Sequence, residues 1–177
     1  LGILSQNLSR KDFDIPHTKA VVHYSTVIAA CEKLNINVLQ SVAWLHDLGY
    51  SGLFATSDPS QYQAIMDKEA AHMVIGGQMA QQFLSRPEIA DHYLPDEIEQ
   101  IVHLVSVHDQ LEQLSDTYEI AFMEADTLGA IDITRVKPTF GKRDGLSYVN
   151  EDLTVRRTPR FQTKTGQALL ETLLPRF

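Results

Sequence analysis

The sequence has a single cysteine, Cys31, among its 177 residues. No disulfide can form within the chain, and a reducing, cytoplasmic setting is therefore expected. No run of about eighteen or more apolar residues occurs, which argues against a transmembrane helix. The first ten residues also lack the charged and then apolar pattern of a secretory signal. We therefore expect no membrane partner.

Basic residues are scarce in most of the chain. Up to Thr134 there are six basic and nineteen acidic residues, whereas from Arg135 onward there are nine basic and four acidic residues. An acidic body argues against nucleic-acid binding, which requires a basic surface. The basic C-terminal segment either attracts an anionic substrate or packs against the acidic body.

Apolar residues recur at three- and four-residue steps along most of the chain, which predicts helices. The helices are expected over residues 16–34, 37–47, 67–84, 95–109, 116–131 and 164–174. Asn37 and Gln40 resemble a capping box at the start of the second of these helices. The length suits one domain. We therefore expect an all-α, single-domain helical bundle over residues 1–177, with its core in residues 14–132.

Two segments are predicted to be loops. The first begins at Gly49 and runs to about Ala64. The second covers residues 134–163, which are interrupted by Pro138, Gly141, Gly145, Asn150 and Pro159. We interpret it as a partly ordered loop, with or without a small hairpin, whose length suggests a lid or a binding segment.

A set of histidine and aspartate residues indicates a metal site. His46 and Asp47 close an apolar helix, where a buried carboxylate is unfavourable unless a cation compensates it. A metal ion would provide that cation, and an ion pair within the dipeptide is the alternative. His17 shares a helix face with Val21, and Asp126 lies among apolar neighbours. Such mixed nitrogen and oxygen ligands suit Mn, Fe, Co, Ni or Zn, and Mg less well.

These residues lie in motifs that resemble a known family. The stretches HTKAV (17–21), SVAWLHDLG (41–49) and EADTL (124–128) are similar, in this order, to motifs of the HD-domain superfamily of metal-dependent phosphohydrolases. The resemblance covers residues 14–132. It implies an all-α fold and one metal ion bound by His17, His46, Asp47 and Asp126.

Two further histidines fit a variant of the family pattern. His72 and His108 resemble residues that bind a second metal ion in members with two metals, where the aspartate equivalent to Asp47 bridges both ions. In other members such histidines line the substrate site, so contact with the substrate or acid catalysis is the second interpretation of His72 and His108. A purely structural role in packing is the third. His23 competes with His17 as the first ligand, but it lies six positions on, about 120° away around the helix.

One position departs from the family pattern. Many members carry a lysine where this chain has Tyr50, and that lysine can meet a phosphate group. Arg135, Lys137 and Lys68 are candidates to replace its charge and bind the substrate. A solvated surface cation is the alternative reading for each of them.

The expected function is hydrolysis of a nucleotide or another small phosphate ester by metal-activated water. One or two divalent ions would be bound, and Asp47, His72 and His108 would be the catalytic residues. One alternative is an HD-type oxygenase with two irons that cleaves a C–C or C–P bond. Another is a non-catalytic nucleotide-binding module. A homodimer is compatible with all three functions.

Overall fold

A computed structural model of the protein describes residues 11–53 and 62–177. Within these ranges the chain forms nine α-helices and no strand, which confirms the predicted all-α fold. We number the helices in chain order as α1 (Lys11–Glu32), α2 (Ile36–Leu45), α3 (Tyr62–Met66), α4 (Glu69–Leu84), α5 (Pro87–Ala90), α6 (Pro95–Val107), α7 (Thr117–Ile131), α8 (Lys142–Ser147) and α9 (Lys164–Leu173). Other helical turns are the 3-10 segments His46–Gly52, Thr158–Arg160 and Leu174–Arg176 and the π-helix Tyr148–Arg157.

The start of α2 differs from the predicted capping box. The side chain of Asn35, rather than Asn37, caps the helix by accepting from the backbone amides of Asn37 (3.0 Å) and Val38 (3.3 Å). Gln40 instead donates to the hydroxyl of Thr26 on α1. The N-cap is therefore two residues earlier than predicted, because an asparagine side chain can accept from amides two and three positions on.

The segment predicted as a loop or hairpin is largely helical. Residues 142–160 form α8, the π-helix Tyr148–Arg157 and a 3-10 turn. Leu153 is completely buried, and the side chains of Asp152 and Arg157 are buried beside it. The loop prediction was wrong here because burial of this segment against the bundle outweighs its weak helical composition.

Close helix packing brings distant parts of the sequence together. α1 packs along α2 and α7, and a Cβ atom at Gly129 of α7 would lie only 2.7 Å from Cγ2 of Val21 on α1. His17 lies one turn before Val21, and Asp126 lies three positions before Gly129. The close approach of α1 and α7 therefore places these two side chains near each other.

A buried carboxylate on α7 forms hydrogen bonds with the C-terminal part of the chain. Glu124 accepts from the backbone amides of Gln162 (2.6 Å) and Thr163 (2.9 Å) and from the Thr163 hydroxyl. Thr163 is in turn the N-cap of α9. These contacts place the π-helix against the bundle end that holds Asp126.

Two predicted features lie outside the described residues. They are the N-terminal segment 1–10 and most of the loop between Gly49 and Ala64. In the described part of the chain, no helix is both long enough and apolar enough to cross a membrane.

Candidate metal centre

Four of the predicted ligands converge at one end of the bundle. His17 Nε2 lies 3.0 Å from Asp126 Oδ1 and 3.9 Å from Asp47 Oδ2. His46 Nε2 lies 3.4 Å from Asp47 Oδ2 and 3.5 Å from Asp126 Oδ1. We call these four residues the first half-site. His23 does not join it, since its ring contacts Arg135 on the protein surface.

The other two candidate histidines lie beside the first half-site. His72 from α4 and His108 at the end of α6 face each other, with 3.2 Å between their Nε2 atoms. His17, His46 and Asp47 have the spacing of metal ligands, and so do Asp47, His72 and His108. We call His72 and His108 the second half-site. The Asp47 carboxylate is thus common to two groups, each able to hold a metal ion.

The 3-10 turn after α2 brings Asp47 close to α4. A Cβ atom at Gly49 would lie 1.9 Å from the carbonyl oxygen of His72 and 2.7 Å from the amide nitrogen of Gly76. Only glycine allows backbone to approach backbone this closely. Gly49 therefore sets the separation between Asp47 and His72.

Backbone contacts orient two of the histidines for metal binding. The Nδ1 atom of His46 lies 3.0 Å from the carbonyl oxygen of Ala43, and that of His108 lies 2.9 Å from the carbonyl oxygen of Val105. A carbonyl accepts only a protonated nitrogen, so a neutral ring keeps its Nε2 lone pair for a ligand. His46 is only 1% exposed. Its Nε2 atom is buried and forms no well-formed hydrogen bond with the described part of the chain.

Aromatic rings fix the other two imidazoles. Phe13 stacks on His17 with ring centroids 5.1 Å apart, and Tyr50 stacks on His72 with centroids 4.0 Å apart and planes within 9°. Tyr50, at the position where the resemblance implies a lysine, therefore orients a candidate ligand. It adds no positive charge to the site.

The electrostatic field keeps the carboxylates ionised. Burial alone raises the pKa of the Asp47 carboxyl, but His46 and then His17 outweigh burial and hold that pKa well below its usual value. Burial opposes ionisation of Asp126 likewise, and contacts with His17 and His46 depress its pKa strongly. For His72, burial and the neighbouring His108 lower the pKa to about 4. For His46, burial lowers the pKa, but Asp47 and Asp126 outweigh burial and raise that pKa well above its usual value. A divalent cation bound there would take the place of the ring proton beside the two carboxylates.

Three residues near the centre were not identified from the sequence. Asp109 Oδ2 lies 3.6 Å from His72 Nε2 and 3.7 Å from His108 Nε2. Arg157 contacts Asp109, Asp126 and Asp152. The sequence did contain a pattern that indicates Asp109 as a candidate ligand, because His108-Asp109 repeats the His46-Asp47 dipeptide at a helix end. No local pattern indicated Arg157 or Asp152, which lie in the segment predicted as a loop.

A cavity of about 130 Å³ opens onto the centre. Its polar end includes His17, Asp47, Asp109, Asp126 and Arg157. Its walls are mainly apolar, and their aromatic members are Phe13, Tyr50, Tyr62, Phe140, Tyr148 and Phe177. The arrangement suits a ligand with one charged end and one apolar end.

The three cations predicted to bind substrate are not among the described residues that line this cavity. The guanidinium of Arg135 pairs with Asp132 at 3.1 Å and contacts His23 at 3.3 Å. Lys137 is exposed, and Lys68 is the N-cap residue of α4. Arg157 is the cation that reaches the cavity wall within the described chain.

Comparisons of the chain with protein-family models, curated proteins and solved structures found no match. The buried histidine and aspartate cluster can hold a metal ion. Membership of the HD-domain superfamily stays a prediction from the sequence motifs.

Proposed function

We propose that this protein is a metal-dependent phosphohydrolase of the HD-domain type that acts on a small phosphate ester. One observation carries the proposal: the Asp47 carboxylate belongs to two ligand groups, each completed by two histidines. Asp126 would be a further metal ligand of the first group, as the resemblance implies. A shared carboxylate between two nitrogen-rich groups is an arrangement suited to two neighbouring divalent cations.

The charge of the site supports two ions. Five carboxylates line the cavity together with Arg157, namely those of Asp47, Glu69, Asp109, Asp126 and Asp152. Arg156 pairs with Glu69 and Asp152 from outside the lining. Five carboxylates and two guanidinium groups leave three negative charges, which is more than one divalent cation neutralises. Two divalent cations would leave the centre slightly positive, and such a centre attracts the anionic group of a phosphate ester.

The proposed reaction is a simple displacement at phosphorus. Divalent cations at such a centre lower the pKa of a bound water from about 15.7 towards 7 and polarise the phosphoryl oxygens. The water oxygen would form a bond to phosphorus, the bond to the ester oxygen would break, and the departing alcohol would take up a proton that balances the one lost from the water. His17, His46, Asp47 and Asp126 would hold one ion, and His72 and His108, together with the shared Asp47, would hold the other.

The cavity walls narrow the substrate class. The one described cation on the cavity wall, Arg157, already pairs with three carboxylates. No other lysine or arginine among the described residues lines the cavity, where it could bind additional phosphate groups. We therefore favour a phosphomonoester with an apolar or aromatic remainder over a nucleoside triphosphate. Phe140 and Tyr62 would pack against that remainder.

The test is a phosphate-release screen on the purified protein. Aryl and alkyl phosphates, nucleotides and sugar phosphates would each be supplied with Mn, Co, Ni, Mg, Zn or Fe. Asp47→Ala should lose bound metal and all turnover while the helical circular dichroism signal persists. Asp91→Ala, at an exposed aspartate, is the matched control and should behave as wild type. Metal binding and turnover retained in Asp47→Ala would remove the site assignment.

A second candidate uses the same residues for different chemistry. The complete set of four histidines with a shared aspartate also suits two irons, and the apolar cavity suits an organic substrate. This candidate is the oxygenase that cleaves a C–C or C–P bond. Two irons per chain together with substrate-dependent oxygen uptake, and no phosphate release from esters, would favour it. Ligand binding without turnover under any divalent metal would indicate a non-catalytic module.

A further inference from the structure

We propose that Asp109 is the terminal carboxylate ligand of the second half-site. We further propose that Arg157 is a positioning residue that orients Asp109 and, in the first half-site, Asp126. The inference rests on the metal centre of the proposed function. It adds one ligand and one organising cation, neither of which the family motifs imply.

Each of two aspartates turns one oxygen to Arg157 and the other to a pair of histidines. Asp126 accepts from Arg157 Nη1 through Oδ2 at 3.0 Å, and its Oδ1 faces His17 and His46. Asp109 accepts from Arg157 Nη2 through Oδ1 at 2.7 Å, and its Oδ2 faces His72 and His108. Asp109 therefore occupies in the second half-site the place that Asp126 occupies in the first.

The two His-Asp dipeptides have the same local geometry. His46 is the C-cap of α2 and His108 is the C-cap of α6. In each case the Nδ1 atom contacts the carbonyl oxygen three residues earlier, which directs Nε2 into the centre. The aspartate that follows each histidine then points its carboxylate at the same centre. An isolated acidic cluster would not orient buried histidines in this way.

Each of the three nitrogens of the Arg157 guanidinium donates to a carboxylate. Its Nε donates to Asp152 Oδ2 at 2.7 Å, while Nη1 and Nη2 donate to Asp126 and Asp109. Arg157 is 8% exposed, so solvent screens these contacts little. A planar guanidinium has the donor geometry to bridge several carboxylates, whereas a lysine ammonium is a point charge. Arg157 therefore orients ligands and is not free to bind a substrate anion.

The π-helix explains how Arg157 reaches the centre. Asp152 pairs through Oδ1 with Arg156, four positions on, and through Oδ2 with Arg157, five positions on. The wider turn of a π-helix brings both positions over one carboxylate, and such turns are frequent at functional sites. Beyond this shared carboxylate the two arginines differ, since Arg156 also pairs with Glu69, whereas Arg157 reaches Asp109 and Asp126.

Metal titration with Mn²⁺ tests the ligand role of Asp109. Wild-type protein should bind two ions per chain by calorimetry and show the electron paramagnetic resonance signal of a coupled Mn²⁺ pair. Asp109→Asn keeps the oxygen that accepts from Arg157 and should retain one ion with an uncoupled signal. Two ions with unchanged affinity in Asp109→Asn would overturn the ligand assignment. A wild-type protein that binds no ion would instead overturn the proposed metal centre itself.

Arginine variants test the positioning role. Arg157→Lys should weaken binding of both ions by about 10- to 100-fold, the usual effect of losing a residue that orients metal ligands. Arg160→Lys is the matched control and should keep wild-type affinities, because Arg160 contacts Glu112 and two backbone carbonyls but no carboxylate of the centre. If Arg157→Lys does not fold, Asp152→Asn removes the charge that anchors Arg157 and should weaken both ions several-fold. Unchanged metal affinity in the folded variants would show that Arg157 only stabilises the fold through its ion pairs and does not position the metal ligands.

Discussion

Replacement of Gly49 by alanine should damage both stability and metal binding. The added Cβ would lie 1.9 Å from the carbonyl oxygen of His72, whereas real Cβ contacts are essentially never shorter than 3.0 Å. The backbone of the 3-10 turn or of α4 would have to move by about 1.1 Å, since neither partner is a flexible side chain. That displacement separates Asp47 from His72.

The magnitudes follow from this displacement. Overpacking of a buried contact costs about 1–3 kcal/mol. In a chain of this size each kcal/mol lowers the melting temperature by about 2–4 °C, so a decrease of roughly 2–12 °C is expected. Metal–ligand distances tolerate deviations of about 0.2 Å. A shift several times larger should therefore weaken the second ion markedly.

Thermal melting followed by circular dichroism, with Mn²⁺ titration of the same samples, measures both effects. Gly145→Ala is the control, because its Cβ would meet only Phe140 Cβ at 3.9 Å, an ordinary contact. That variant should be neutral or slightly more stable, since alanine is the better helix former. A Gly49→Ala protein that melts and binds Mn²⁺ like wild type would refute the argument from close approach.

Three further predictions test the site and its support. His17→Gln should abolish ion binding at the first half-site while His23→Gln leaves it unchanged, as calorimetry would show; the opposite result would mean that the wrong histidine was chosen. Arg135→Ala should leave KM for a phosphate ester unchanged in steady-state assays, because its guanidinium lies outside the cavity lining, and a raised KM would contradict this. Glu124→Ala should lower the free energy of unfolding in urea by about 2 kcal/mol or more, since two backbone amides lose their acceptor at about 1–3 kcal/mol each. An unchanged urea midpoint would show that these amides find other partners.

The sequence alone predicted the helical fold and the main elements of the bundle. Apolar spacing within a helix is a local property, and it marked the face of α1 that contains Val21 and Ile28, both now seen to be buried. The ordered motifs singled out His17, His46, Asp47 and Asp126, and the fold brings these four side chains together. The helices could be predicted because apolar spacing depends on neighbours within one or two turns, whereas the four ligands were implied by the resemblance of the ordered motifs to the HD-domain superfamily.

The position of Arg157 could be decided only by tertiary structure. Its partners Asp109 and Asp126 lie 48 and 31 residues earlier in the chain, and no local spacing encodes such contacts. The segment around it has the composition of a loop, yet burial of Leu153 and pairing of Asp152 stabilise it as a π-helix. Long-range packing, rather than local helix preference, therefore determined how the two half-sites are joined.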